Sequence, residues 1–310
     1  MGYNVNIVNF WLYYDLYLED NMATYTIITD SSCDLPASLA DSMHIRVVPL
    51  SIFADGKQYY NFLDGSAIGF EEFYNRLGEG ELITTSAMNV AQIKTVMEAE
   101  LMCGHDVLYL GFSSGLSGTY NAGVQAAKEL EGVYPGRRVL TVDTLCASLG
   151  QGLLVYLCVQ QRREGKTLDE VYEYAESTKL HICHWFTVDD LFHLKRGGRV
   201  SGVTAVLGSM LNIKPVMHVS TEGKLVNIAK ARGRNAAINA LFDKLCDSAI
   251  EPEHQTYFIS HGNCRDDAEK LASMIKERFG ARVIINFIGP VIGAHSGQGT
   301  LALFFIGNER

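Results

Sequence analysis

Basic residues, proline and paired cysteines are scarce in this 310-residue chain. Lys and Arg number 26 against 35 Asp and Glu, a formal net charge of −9. The clustered positive charge that draws proteins to nucleic acid or to anionic membranes is therefore missing. Proline occurs six times and the 29 glycines follow no period, which excludes a collagen-like or repetitive fibre. The cysteines (33, 103, 146, 158, 183, 246 and 264) are odd in number and contain no C-x-x-C pair. A secreted disulfide framework is not expected; reduced thiols in a cytoplasm are. There is no G-x-x-x-x-G-K-[ST], no G-x-G-x-x-G and no H-E-x-x-H, so a self-contained ATPase, dehydrogenase or metalloprotease lacks its usual signature. His181, Cys183 and His184 find no second ligand pair nearby, and no metal site is expected.

Residues 1–21 contain no Lys or Arg, and Asp15, Glu19 and Asp20 interrupt their apolar run. A signal peptide needs a positive start and a membrane span about 20 apolar residues, so neither is expected. The segment reads as an N-terminal extension, or a start-site artefact, ahead of Met22 and the strand-like TYTIITD.

The 47% of hydrophobic residues can fill a substantial core, and the length suits two domains or one large one. Apolar, β-branched runs predict strands at 24–29, 46–52, 107–112 and 139–142. Helical spacing of Val90, Ile93, Val96, Met97 and Leu101, with further helices over 119–130 and 147–163, makes an alternating α/β pattern and a parallel, doubly wound sheet. Past residue 175 the pattern changes. A hairpin signal at Ser-Thr-Glu-Gly and strands flanking a Gly-rich bend near the end predict a second α/β domain with antiparallel pairings. The division expected is an extension at 1–21, an N-terminal domain at 22–177 and a C-terminal domain at 178–310.

Four stretches could carry chemistry. GFSSGLSGTY (111–120) leads from a strand into a helix, where free backbone N–H groups, the hydroxyls of Ser113, Ser114, Ser117 and Thr119, and the open Gly115 and Gly118 could hold a carboxylate or phosphate. An ordinary N-cap explains the same residues. Its first five residues also fit G-x-S-x-G, which would make Ser113 the nucleophile of a lipid or ester hydrolase with His295. Thr84, Thr85 and Ser86 read as a cap for the Val90 helix or as a second hydroxyl cluster. His295, in a glycine-rich loop, could donate to an anion or carry charge near neutral pH, or simply face water. Lys195, Arg196 and Arg199 make a basic turn, either solvated or in contact with an anion or partner. Asp30 and Asp34 could be acid–base groups or metal ligands, but helix capping by Ser32 or Asp34 before Leu35-Pro36 explains them more cheaply.

Six stretches together resemble the DegV family of bacterial fatty-acid-binding proteins, which includes the FakB subunits of fatty acid kinase. They are ITDSSCDLP (28–36), TTSAMN (84–89), FSSGLSGTYNAG (112–123), VDDLFHLKRGGRVSG (188–202), LNIKPVMHV (211–219) and IGPVIGAHSGQGTLAL (288–303). TTSAMN departs from the more usual T-S-Q-P but keeps its Thr-Ser pair. The resemblance implies an N-terminal EDD-type parallel-sheet domain and a C-terminal α/β domain with a mixed sheet. It implies a long-chain fatty acid such as palmitate or oleate in a buried tunnel. The carboxylate contacts carry over onto Thr85, Ser117 and His295, with Ser86, Ser113, Ser114 and Gly118 as neighbours. Arg196 and Arg199 become contacts for the head group or for an ATP-dependent fatty acid kinase. On this reading the chain is a carrier without catalytic residues, cofactor or metal, cytoplasmic, serving phospholipid synthesis and touching membrane only transiently.

Overall fold

The computed structural model describes residues 24–200, 212–308 and 310. The reading of residues 1–21 lies outside them, as do Ser201 and Gly202 of the basic stretch.

The first half contains β1 (Tyr25–Asp30), α1 (Ala37–Ser42), β2 (Arg46–Val48), β3 (Leu50–Ala54), β4 (Lys57–Asn61), α2 (Phe70–Gly78) and β5 (Thr84–Ser86). There follow α3 (Val90–Met102), β6 (Asp106–Gly111), α4 (Thr119–Leu130), β7 (Val139–Asp143), α5 (Leu149–Arg163) and α6 (Leu168–Thr178). Four strands pair in parallel in the order β2-β1-β6-β7. Alternation along them serves two helical layers. Ile27, Leu108 and Leu110 pack with Leu153 and Leu154 of α5, whereas Ile28, Val107 and Tyr109 pack with Ile93 and Met97 of α3 and Ala126 of α4. This is the doubly wound arrangement expected.

The single strand expected over 46–52 is two. Pro49 has no N–H to give a ladder, and the chain turns there from the parallel sheet into a separate antiparallel one, β4-β3-β5. Its β3–β4 hairpin closes through Asp55-Gly56, both at positive φ.

The second half supplies β8 (Ile182–Thr187), α7 (Leu191–Arg196), β9 (Ile213–Val219), β10 (Leu225–Arg232), α8 (Arg234–Ser248), β11 (Tyr257–His261), α9 (Arg265–Phe279), β12 (Val283–Phe287), α10 (Pro290–Ser296) and β13 (Leu301–Ile306). Its mixed six-stranded sheet runs β10-β9-β8-β13-β11-β12, parallel only between β11 and β12 among the described residues. Helices α8 and α9 cover one face of this sheet. The other face packs on α5, whose Leu149, Leu153, Leu154, Val155 and Val159 are buried between the two large sheets. A helix apolar on several sides fits nowhere else.

Three local expectations are corrected. Thr84–Ser86 is a strand and caps nothing, because Asn89 and Gln92 form a capping box for α3. Neither Ser32 nor Asp34 caps α1. Its N-cap is Pro36, which makes no side-chain bond, while Asp30 caps a short 3₁₀ turn at Ser31–Cys33. His295 lies in a helix and not in a loop, since Pro290 presets the first turn of α10.

Candidate functional site

A cavity opens where the β6–α4 loop, the small sheet, α10 and the inner face of the mixed sheet meet. Its volume is about 100 Å³, several times the ~10–15 Å³ that one water requires. The wall is mainly apolar: Leu50, Phe112, Leu116, Phe186, Ile292 and Phe304 dominate it. Polar groups gather at Ser86, Ser117, Arg199 and His295.

These four side chains come from four segments that the fold holds together. Ser117 precedes α4, and its hydroxyl pairs with Thr119 Oγ1 at 2.9 Å and accepts the Thr119 N–H at 3.2 Å. Met88 N–H donates to Thr119 Oγ1 at 3.4 Å, tying the segment after β5 to this loop. Arg199 Nε donates to the Leu116 carbonyl at 3.2 Å and so fastens the turn after α7 to the β6–α4 loop. His295 Nε2 sits 2.8 Å from Thr85 Oγ1. His295 lines the cavity, and Thr85 is the hydroxyl bonded to its ring.

Burial, followed by the positive charges of Arg199 and Arg196, pushes the His295 imidazole down to about 4. At that value the ring is neutral at pH 7, so of the alternatives read from the sequence the charged one falls away. A neutral ring still donates one N–H, and hydroxyls beside it can satisfy a carboxylate without a buried ammonium. Gly197 sets the ring's place: a Cβ there would stand 2.3 Å from His295 Nδ1.

Of the residues singled out from sequence, Thr85, Ser86, Ser117, His295 and Arg199 are brought together. Four are not. Ser113 is fully buried, donates to the Gly223 carbonyl at 2.8 Å and accepts from the Gly115 N–H at 3.2 Å. It pins the β9–β10 turn against the loop, where Gly115 leaves no room for a side chain because a Cβ would lie 2.5 Å from the Glu222 carbonyl. The nucleophile of the hydrolase alternative is thus committed to a backbone carbonyl, and its intended base to Thr85. Wild-type protein is expected to resist a fluorophosphonate probe. Ser113→Ala should cost about 1 kcal/mol in urea unfolding, the worth of one hydrogen bond. Ser114 is exposed, its N–H donating to Asp143. Gly118 is the exposed N-cap of α4. Arg196 is exposed at the end of α7, 3.2 Å from His193 Nδ1.

The sequence reading missed a buried polar knot farther along the wall. Ser148 Oγ donates to Asp34 Oδ2 at 2.6 Å and pairs with Ser260 Oγ at 2.9 Å, and the Gly289 N–H donates to Asp34 Oδ1 at 2.9 Å. Ser148 holds φ 54 and ψ −143, a conformation that L residues avoid. Burial pushes the Asp34 carboxyl up to about 8, although its bonds to Ser148 and Gly289 pull the other way. His181 and His184 each have a ring nitrogen on a backbone carbonyl, of Gly307 and Ile182, and no group of three His, Cys, Asp or Glu among the described residues could hold a metal. Among those residues, too, no helix is long and apolar enough to cross a membrane.

The sequence pattern of DegV, described as an uncharacterised protein family, matches residues 24–308. The chain belongs to the DegV family. A DegV domain-containing protein of Clostridium perfringens is 44% identical over 290 residues, 93% of this chain and 99% of that one. Among solved structures, a DegV family protein from Thermus thermophilus, described for its fatty acid binding, superposes with a TM-score of 0.81 at 30% identity. It covers 91% of this chain and 99% of its own. A DegV lipid-binding protein from Thermotoga maritima gives 0.80 at 28% identity, over 92% and 99%. The α/β architecture, with its parallel sheet and its mixed sheet, is that of these DegV proteins.

Proposed function

We propose that this chain binds a long-chain fatty acid, with the tail in the apolar cavity and the carboxylate held by Thr85, Ser117 and His295. The observation that carries this reading is the pairing of a neutral imidazole and two hydroxyl clusters at one part of a wall that is otherwise apolar. Each methylene removed from water contributes roughly 0.8 kcal/mol in gross terms, so the tail dominates affinity and the polar cluster fixes orientation. The fatty-acid binding described for the Thermus relative supports the assignment.

The protein then acts as a carrier without catalytic residues or cofactor. It presents the carboxylate to an ATP-dependent kinase subunit that makes the acyl phosphate, and exposed Arg196 beside Arg199 offers that partner a positive contact. Cysteines not joined in disulfides among the described residues suit a cytoplasmic location.

Native mass spectrometry of the purified protein is the test. A co-purified mass of an ordinary fatty acid is expected, and delipidated protein should take up palmitate or oleate. A bare chain that takes up neither refutes the reading. Ser117→Ala should weaken uptake about three- to ten-fold, one hydrogen bond's worth, while the protein stays folded with a melting temperature a few degrees lower at most. The kinase step is tested by adding ATP and co-purified partner and looking for acyl phosphate.

A further inference from the structure

Ser296 follows His295 directly on α10 and lines the same cavity, 5% exposed. Its hydroxyl has no hydrogen-bond partner among the described residues. Buried hydroxyls seldom stay unpaired, because the bonds given up to water are not replaced. The adjacent hydroxyl of Thr300 is spent on the Ser296 and Gly297 carbonyls and gives the Ser296 side chain nothing. A second wall hydroxyl, Ser260, uses one bond on Ser148 and keeps capacity to spare, since a hydroxyl offers one proton and two lone pairs.

A plain alkyl tail would cover Ser296 and leave it unsatisfied. An oxygen on the tail would both donate to it and accept from it. Ser296 and His295 are consecutive on α10 and both line the cavity, so the unpaired hydroxyl and the imidazole share one stretch of wall.

We propose that the cavity is built for a long-chain acid carrying a hydroxyl within a few carbons of its carboxylate, and that Ser296 selects for it. This rests on the fatty-acid reading above. A plain acid remains a ligand, bound without that contact.

Calorimetric titration of delipidated protein with palmitate and with 3-hydroxypalmitate tests the inference. Wild-type protein should bind the hydroxy acid at least as tightly as palmitate. Ser296→Ala should weaken the hydroxy acid about three- to ten-fold, while palmitate binding holds or tightens because an unpaired hydroxyl has gone. Weaker binding of the hydroxy acid by wild-type protein overturns the inference without any variant. So does a variant that shifts both acids alike. Binding of palmitate alone sinks only this inference, whereas binding of neither acid sinks the fatty-acid reading with it.

Discussion

His295→Ala is expected to weaken fatty-acid retention about ten- to a hundred-fold, the worth of one hydrogen bond to a charged group in a partly dry site. Gly197→Ala should reproduce much of that loss from outside the binding cluster. The new methyl would lie 2.3 Å from His295 Nδ1, which forces the ring away from Thr85. Gly197 has φ −72, so alanine meets no backbone strain there and the fold should survive. Equilibrium binding of a fluorescent fatty acid, alongside circular dichroism, separates the outcomes. Near-native affinity in Gly197→Ala would show that the imidazole position does not govern binding.

Asp34→Asn is expected to stabilise the protein, and most at alkaline pH. Burial lifts the folded carboxyl from 3.8 to about 8, so the native state keeps a proton that the unfolded chain releases. The stability carried by this group is intact below about pH 4 and lost as pH rises to about 8. At about 1.4 kcal/mol per unit, the loss is on the order of 6 kcal/mol at most. Asparagine avoids it: its carbonyl can accept from Gly289 and its amide can donate to Ser148. Two histidines act in the opposite sense. Burial pushes His295 and His261 down to about 4, so their contribution is intact above pH 6.5 and falls away toward pH 4. Thermal melts from pH 5 to 9 should show the advantage of Asp34→Asn growing up to about pH 8 and then levelling at several degrees. A constant difference across that range would mean that Asp34 does not titrate in it.

Much of this was legible in the sequence, for identifiable reasons. Strand β6 is buried at every position from Val107 to Leu110, and such a run announces itself. Ser117 and His295 stood out because hydroxyls, glycines and a histidine crowd short segments there. The helix around His295 was hidden by its length of seven residues and by its glycine, which together mimic a loop. Ser148 and Ser260 were invisible because an isolated serine carries no local signal, and their bond spans 112 residues of sequence. Ser113 misled for the complementary reason. Its motif was local, but its partner Gly223 lies 110 residues away.

Helix α5 begins at the cavity wall with Ser148 and runs on between the two large sheets, belonging to one continuous apolar cluster with both. The halves of the molecule therefore cannot part like a shell around a ligand without uncovering that shared cluster, at roughly 25 cal/mol for each Å² of apolar surface exposed. Exposed Ser86 and half-buried Arg199 are the lining groups that water also reaches, and Arg199 is held there by the Leu116 carbonyl. A scaffold joined in this way favours a cavity whose back wall keeps its shape.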